Sequence, residues 1–117
     1  MPFFRFHFVE ETRLAVVSRQ MTDRIQHVVG CPRNHIVLEV IRSAIVGDEG
    51  ITGGEWPFVE VDYFERHEEI QEAVAGIVSE CLREIGYANS DVHFRYLCAK
   101  NYYENGVSCQ NNEPNLI

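Results

Sequence analysis

Apolar and polar positions alternate in two stretches of the chain, and each stretch runs into an apolar pattern of helical period. Residues 2–10 (Pro-Phe-Phe-Arg-Phe-His-Phe-Val-Glu) and 57–65 (Pro-Phe-Val-Glu-Val-Asp-Tyr-Phe-Glu) stand 55 positions apart. Both read as strands, being short, alternating and rich in Phe, Val and Tyr. Leu14, Val17, Met21, Ile25 and Val28 then recur at steps of three and four, as do Ile70, Ala73, Ile77, Cys81 and Ile85. That spacing predicts two amphipathic helices, each stopping at a glycine, Gly30 and Gly86. A further strand follows each helix, over 36–46 and 92–98. Two β-α-β units with right-handed crossovers predict a two-layer α+β fold: a four-stranded mixed sheet with both helices on one face.

The alternation also assigns faces. Phe4, Phe6, Phe8, Ile36, Leu38, Val40, Val59, Val61, Tyr63, Val92, Phe94 and Tyr96 are expected under the helices. The opposite face is expected to carry Phe3, Arg5, His7, Val9, Glu39, Phe58, Glu60, Asp62, Phe64, His93 and Arg95. Phe3, Phe58 and Phe64 together would make a large exposed apolar patch, so this face is expected to be covered by further copies of the chain. Arg5 and Arg95 are expected to pair there with Glu39, Glu60 or Asp62. Residues 1–106 thus read as one domain of two repeats, about 2–46 and 57–98, and 107–117 as a polar tail. The turn signal Asn105-Gly106 predicts a short terminal hairpin near Tyr102 and Tyr103.

Charge narrows the partners. Eighteen acidic side chains against ten Lys and Arg give a net charge of −8. Nucleic acid and anionic membrane surfaces both need a basic face, so neither is an expected partner. No apolar run reaches the roughly 18 residues of a membrane span, and the start, Met-Pro-Phe-Phe-Arg, lacks the features of an export signal. A cytoplasmic location is expected. Cys31, Cys81, Cys98 and Cys109 form no C-x-x-C pair and read as free packing thiols. No H-x-x-H or H-E-x-x-H spacing occurs, so no metal is expected. The 47–54 loop is rich in glycine but lacks lysine and a following helix, which argues against a phosphate loop.

Among single residues, Pro2 stands out. Removal of Met1 would free a secondary amine, and a model α-amine titrates at about 7.7 to 8.0. Burial and nearby arginine lower such a value, which suits an amine to take and return a proton near neutrality. Pro57 holds the matching place in the second repeat without a free amine, so from spacing alone a strand-opening structural role is the favoured reading of Pro2. His93 and Arg95, at i and i+2, share one face and could hold a carboxylate, or belong to an ion-pair lattice.

The doubled β-α-β order, Pro2 at the head of strand one, and the helix-end stretch 30–36 (Gly-Cys-Pro-Arg-Asn-His-Ile) together resemble the tautomerase superfamily. That superfamily includes 4-oxalocrotonate tautomerase and macrophage migration inhibitory factor. Residues 56–61 (Trp-Pro-Phe-Val-Glu-Val) and 101–106 (Asn-Tyr-Tyr-Glu-Asn-Gly) are similar to a small bacterial group with no assigned function, domain of unknown function 1904. The resemblance spans about residues 2–105. It implies a homotrimer with sites at subunit boundaries, and cofactor-free keto–enol tautomerisation of a small carboxylated substrate with Pro2 as acid–base catalyst. The carry-over departs from the superfamily in places. Cys31 stands where the migration-factor branch has lysine, with Arg33 two residues on, and His93 and Arg95 replace a tyrosine and an asparagine. For the helix and strand-two arginines of the other branch, this chain offers Thr12 then Arg13, and Val37 with Arg42 further along. The expected site is Pro2 as catalyst with Arg33, Arg42, His93 and Arg95 as substrate ligands. The competing expectation is a non-enzymatic, oligomeric ligand-binding or assembly module of the same or a ferredoxin-like fold. The ten-residue, glycine-rich connection between the halves favours the tautomerase arrangement over the ferredoxin-like one.

Overall fold

A computed structural model describes residues 2–52 and 56–110. Met1, residues 53–55 of the connecting loop and the tail from 111 lie outside the described residues. In chain order, β1 (Phe3–His7) leads into α1 (Glu11–Val29) and β2 (Val37–Ile41). A hairpin of β3 (Ile45–Gly47) and β4 (Gly50–Thr52) follows. The second half is β5 (Phe58–Phe64), α2 (Glu68–Glu84) and β6 (Asp91–Leu97), and the described chain closes with the hairpin of β7 (Tyr103–Glu104) and β8 (Val107–Ser108).

The main sheet has the order β2-β1-β5-β6. β1 runs parallel to β2 and β5 parallel to β6, and the two halves meet through antiparallel β1 and β5. The repeat holds at the level of single bonds. Val37 N–H donates to the Pro2 carbonyl at 3.1 Å, and Asp91 N–H donates to the Pro57 carbonyl at 3.0 Å. Both prolines are fully buried. The missing N–H of each costs nothing there, because each stands just ahead of its strand.

The core lies between this sheet and the two helices. Phe4, Phe6, Val59, Val61 and Tyr63 come from the central strands, Leu14, Val17, Met21 and Ile25 from α1, and Val74, Ile77, Val78, Cys81 and Leu82 from α2. Each large side chain of that set contributes about 1.5–3 kcal/mol by leaving water. On α2 the buried stripe lies one residue on from part of the expected one: Val74, Val78 and Leu82 fill the core, while Ile70 and Ile85 sit at its margin. α1 stops at Gly30. Past α2, Gly86 adopts φ 101° and its N–H returns to the Arg83 carbonyl.

Three expectations need correction. Phe8 adopts φ 65°, a left-handed conformation uncommon for a bulky residue, so the alternation of β1 breaks there. Val9 therefore enters the core in its place, and Phe8 is half-buried. Phe64 is not part of an exposed patch. It is buried and meets Tyr102 edge-on at 5.6 Å, while Tyr96, expected inside, is half exposed. Finally, the strand expected over 36–46 is two elements, β2 and then β3, because residues 42–44 leave the sheet. The terminal hairpin turns at Asn105 (φ 51°) and Gly106 (φ 80°), the paired positive angles that a two-residue hairpin loop needs. All four cysteines are free.

Candidate functional site

The site is built at the end of the sheet where β1 begins. Phe3 lies opposite Asp62 in the antiparallel ladder, so one step further Pro2 lies opposite Tyr63. The alternation of β1 places Pro2 with Phe4 and Phe6 on the helix side, and Val59, Val61 and Tyr63 occupy that side of β5. Pro2 and Tyr63 are thus cross-strand neighbours on one buried surface, with side chains that start about 5 Å apart. Tyr63 stacks on Tyr96 at 6.2 Å and tilts against Phe94 at 5.3 Å.

The turn after β5 brings a cation to this end. Arg66 lies over the Tyr63 ring at 4.7 Å, and its Nη1 donates to the Phe64 carbonyl at 2.7 Å. Its Nη2 and the Tyr63 hydroxyl are buried with no hydrogen-bond partner among the described residues. Burial pushes the Tyr63 hydroxyl up to about 12, so it remains an O–H donor at any physiological pH. Burial lowers Arg66 from its ordinary value, against the electrostatic influence of Cys31 and Tyr63, but a guanidinium remains protonated in proteins. Cys31, in the loop that returns from α1, is buried in the same core. Among the described residues, no cluster of His, Cys, Asp and Glu is placed to hold a metal ion.

The four expected ligands lie elsewhere within one subunit. Arg33, in the 3-10 turn before β2, is at the Pro2 end but turns outward to Asp23 at 2.6 Å. Arg42 follows β2 at the opposite end and pairs with Glu11. By strand length that end is about 20 Å from Pro2. A groove of about 680 Å³ opens there, lined by Phe8, Glu11, Arg13, Val40, Arg42 and Tyr87 among others, and Pro2 is not in its wall. Arg13 closes one side, stacked on Tyr87 at 4.1 Å and donating to the Ile85 carbonyl.

His93 and Arg95 are on the outer face of β6, across the sheet from the Pro2 ring. Arg95 is engaged in a cross-strand lattice. It donates to Asp62 at 2.9 Å and approaches Glu60 at 3.2 Å. Arg5 donates to Asp62 at 2.7 Å and lies 3.6 Å from Glu39, and His7 Nε2 is 2.6 Å from Glu60. The hydrogen bond from His7 is the largest influence holding Glu60 below the usual carboxylate range. For Asp62, burial pushes upward, but hydrogen bonds from Arg95 and Arg5 outweigh it and leave the group lowered. The pairing anticipated for Arg5 and Arg95 is therefore the arrangement found.

Arg66 and Tyr63 escape a reading of the sequence for different reasons. Tyr63 counts as core, which it is. Arg66 falls in the turn between strand and helix, 55 positions on from Glu11 at the head of α1, so the repeat itself hides it. The one available signal is that contrast, an arginine where its repeat counterpart is acidic.

Similarity to known proteins agrees with this architecture. No curated protein matches the chain. Among solved structures, a domain of unknown function (DUF1904) from Sebaldella termitidis superposes with a TM-score of 0.84 at 24% identity, over 92% of this chain and 99% of that one. A fused 4-OT described as an asymmetric trimer gives 0.78 at 12% identity, over 94% and 98%. A macrophage migration inhibitory factor-like protein from Entamoeba histolytica gives 0.67 at 13% identity, over 92% and 97%. At these identities the likeness is one of fold, and that fold is the α+β arrangement shared by tautomerases and the migration factor. The family model for DUF1904, a domain of unknown function, matches residues 1–108, and the chain belongs to that family.

Proposed function

We propose that the chain is a cofactor-free, tautomerase-like isomerase, in which the Pro2 amine, exposed by removal of Met1, moves a proton between carbon and oxygen of a small enolisable carboxylic acid. The observation that carries this reading is the setting of Pro2. Its ring is fully buried opposite Tyr63, the ring on which the Arg66 guanidinium stacks. Burial and a nearby cation both disfavour a protonated amine, which brings it towards neutrality and lets it act as a base near pH 7. An adjacent positive charge also stabilises a developing enolate. Self-association belongs to the same reading. Phe58 is 39% exposed on the outer face, and Val46, Ile51 and Trp56 are 75%, 79% and 54% exposed on the connection between the halves. A homotrimer would cover such surface, and would let Arg33, Arg42, His93 or Arg95 of one copy approach the Pro2 end of another.

The setting of Pro57 favours a second reading. It is equally buried and equally bonded, yet has no free amine. On that reading Pro2 opens a strand and nothing more, and the protein is a non-enzymatic binding or assembly module. Intact mass of untagged protein shows whether Met1 is removed. Ketonisation of phenylenolpyruvate, measured beside Pro2→Ala, then separates the two readings. General acid–base catalysis contributes about 10²–10⁴-fold, and a loss of that order is expected. Equal rates, or retention of Met1 in the native cell, would leave the module reading standing. Sedimentation as a monomer would overturn the trimer.

A further inference from the structure

The ion-pair lattice on the outer face of the sheet is uneven in charge. Glu39, Glu60 and Asp62 supply three carboxylates, and Arg5 and Arg95 supply two guanidinium groups. The sixth member is His7, whose Nε2 lies 2.6 Å from Glu60. With a neutral imidazole the lattice has one negative charge over. With a protonated one it closes at three against three. A single subunit already shields it well: the side chains of Asp62, Glu60 and His7 are 16%, 21% and 23% exposed. Apolar rings frame it. Phe58 meets the His7 ring edge-on at 6.0 Å, and Arg5 lies over the Phe3 ring at 4.6 Å.

No other neighbour supplies the missing cation. On β1 and β2 the charged groups facing His7 are Arg5 and Glu39, and on β5 they are Glu60 and Asp62. Arg42, next to the residue paired with His7, turns to Glu11. On β6, Arg95 is already shared by the two central acids, and Asp91 stands at the exposed rim. His93, opposite Glu60 in register, is exposed and has no carboxylate within ion-pair distance among the described residues. Glu60 is held below the usual carboxylate range, first by the His7 hydrogen bond, so it stays charged from pH 6 to 8. Covering this face strips the remaining water from it. An unbalanced charge then costs far more than a closed set of pairs. Histidine is the side chain whose charge ordinarily changes between pH 5 and 8, so the balance rests on His7.

We infer that His7 couples assembly of the protein to pH: closing further copies over the outer face takes up one proton per subunit at His7, and the assembly loosens as pH rises towards 8. The sign follows from linkage. The assembled state holds more protons than the separate subunits, so association strengthens as pH falls. This rests on the proposed self-association, with the outer face as the one covered, and it is independent of any chemistry at Pro2.

The test is sedimentation of the full-length protein at pH 6, 7 and 8 and fixed ionic strength, with fluorescence detection so that dilution reaches the separate subunits. The concentration at half-assembly is expected to rise at least about 10-fold from pH 6 to pH 8. His7→Gln should flatten that dependence by removing the titrating ring. Glu60→Gln should flatten it by removing the surplus charge, and should assemble at pH 8 as the parent does at pH 6. His93→Gln is expected to keep the parent's dependence. Far-UV circular dichroism checks that each variant is folded, and Glu60→Gln carries the test if His7→Gln is not. Equal assembly of the parent at all three pH values would overturn the coupling and leave self-association standing. A parent that is monomeric throughout would overturn both. A dependence that survives in folded His7→Gln, or that vanishes in His93→Gln, would overturn the assignment to His7.

Discussion

Asp62 is the centre of the outer-face lattice, and Asp62→Asn tests whether that lattice stabilises the fold. The side chain is 16% exposed and accepts from Arg5 and Arg95. Hydrogen bonds to charged groups contribute about 1.5–3 kcal/mol each when shielded from water. Arg5 is about one-third exposed, so its bond belongs at the low end of that range. Arg95 is half exposed, so solvent screens its pair and the bond adds little. Asparagine keeps the shape but loses the charge, so the variant is expected to be about 2 kcal/mol less stable at pH 7, or about 8 °C in Tm at this chain length. The pH dependence follows from the direction of the shift. Asp62 is held below its ordinary value of about 3.9, so its contribution is complete above that value and is lost as pH falls through the lower, folded one. Urea melts of parent and variant at pH 7, 5 and 3 should therefore show a gap that is full at pH 7 and 5 and begins to close by pH 3. The protein concentration is held where the assembly state stays constant. A gap that ignores pH would mean that packing, not charge, is responsible. A gap below about 0.5 kcal/mol at pH 7 would mean that solvent already screens the lattice.

Other perturbations follow from single contacts. Tyr63→Phe removes a buried hydroxyl that has no partner among the described residues, so it should raise stability by about 1 kcal/mol, roughly 4 °C; a loss of stability in calorimetry would show the hydroxyl to be satisfied. Gly86→Ala places a side chain at φ 101° and drives its Cβ into the Arg13 guanidinium, which should cost about 1–3 kcal/mol; adding Arg13→Ala should recover the collision but not the backbone part, as measured by denaturant melts. Val46 and Ile51 face each other across the β3–β4 hairpin, so Val46→Lys with Ile51→Lys should weaken self-association while leaving the monomer's circular dichroism unchanged; sedimentation velocity that shows the parent's assembly would remove this hairpin from the interface.

Much of the fold was legible because the chain states it twice. The alternation of Phe4 and Phe6, and of Val59, Val61 and Tyr63, needs no tertiary information to be read as a core face. The stripe of α1 was read nearly residue by residue for the same reason. Phe8 and Val9 were misassigned because a period of two holds only while the backbone stays extended, and a left-handed Phe8 advances the pattern by one. Phe64 belongs inside because Tyr102 covers it, a contact between residues far apart in the chain. Of the site, Pro2 was legible as a position. Arg66 was not, because its interest lies in what it fails to pair with, and pairing is a property of three dimensions.

The antiparallel meeting of β1 and β5 carries a consequence for how such a protein can change. The proline comes from the first half of the chain and the tyrosine and arginine from the second, so neither half holds the whole constellation. In an assembly of identical single repeats, every unit must keep every part, and a change that improves one role is imposed on all. Fusion of the halves lifts that constraint. Phe8 and Glu11 stand where the other half has Tyr63 and Arg66, and Pro57 stands as an amide where Pro2 can stand as an amine. On the proposed activity the two halves divide the labour, and each is free to specialise as long as the seam between their central strands holds.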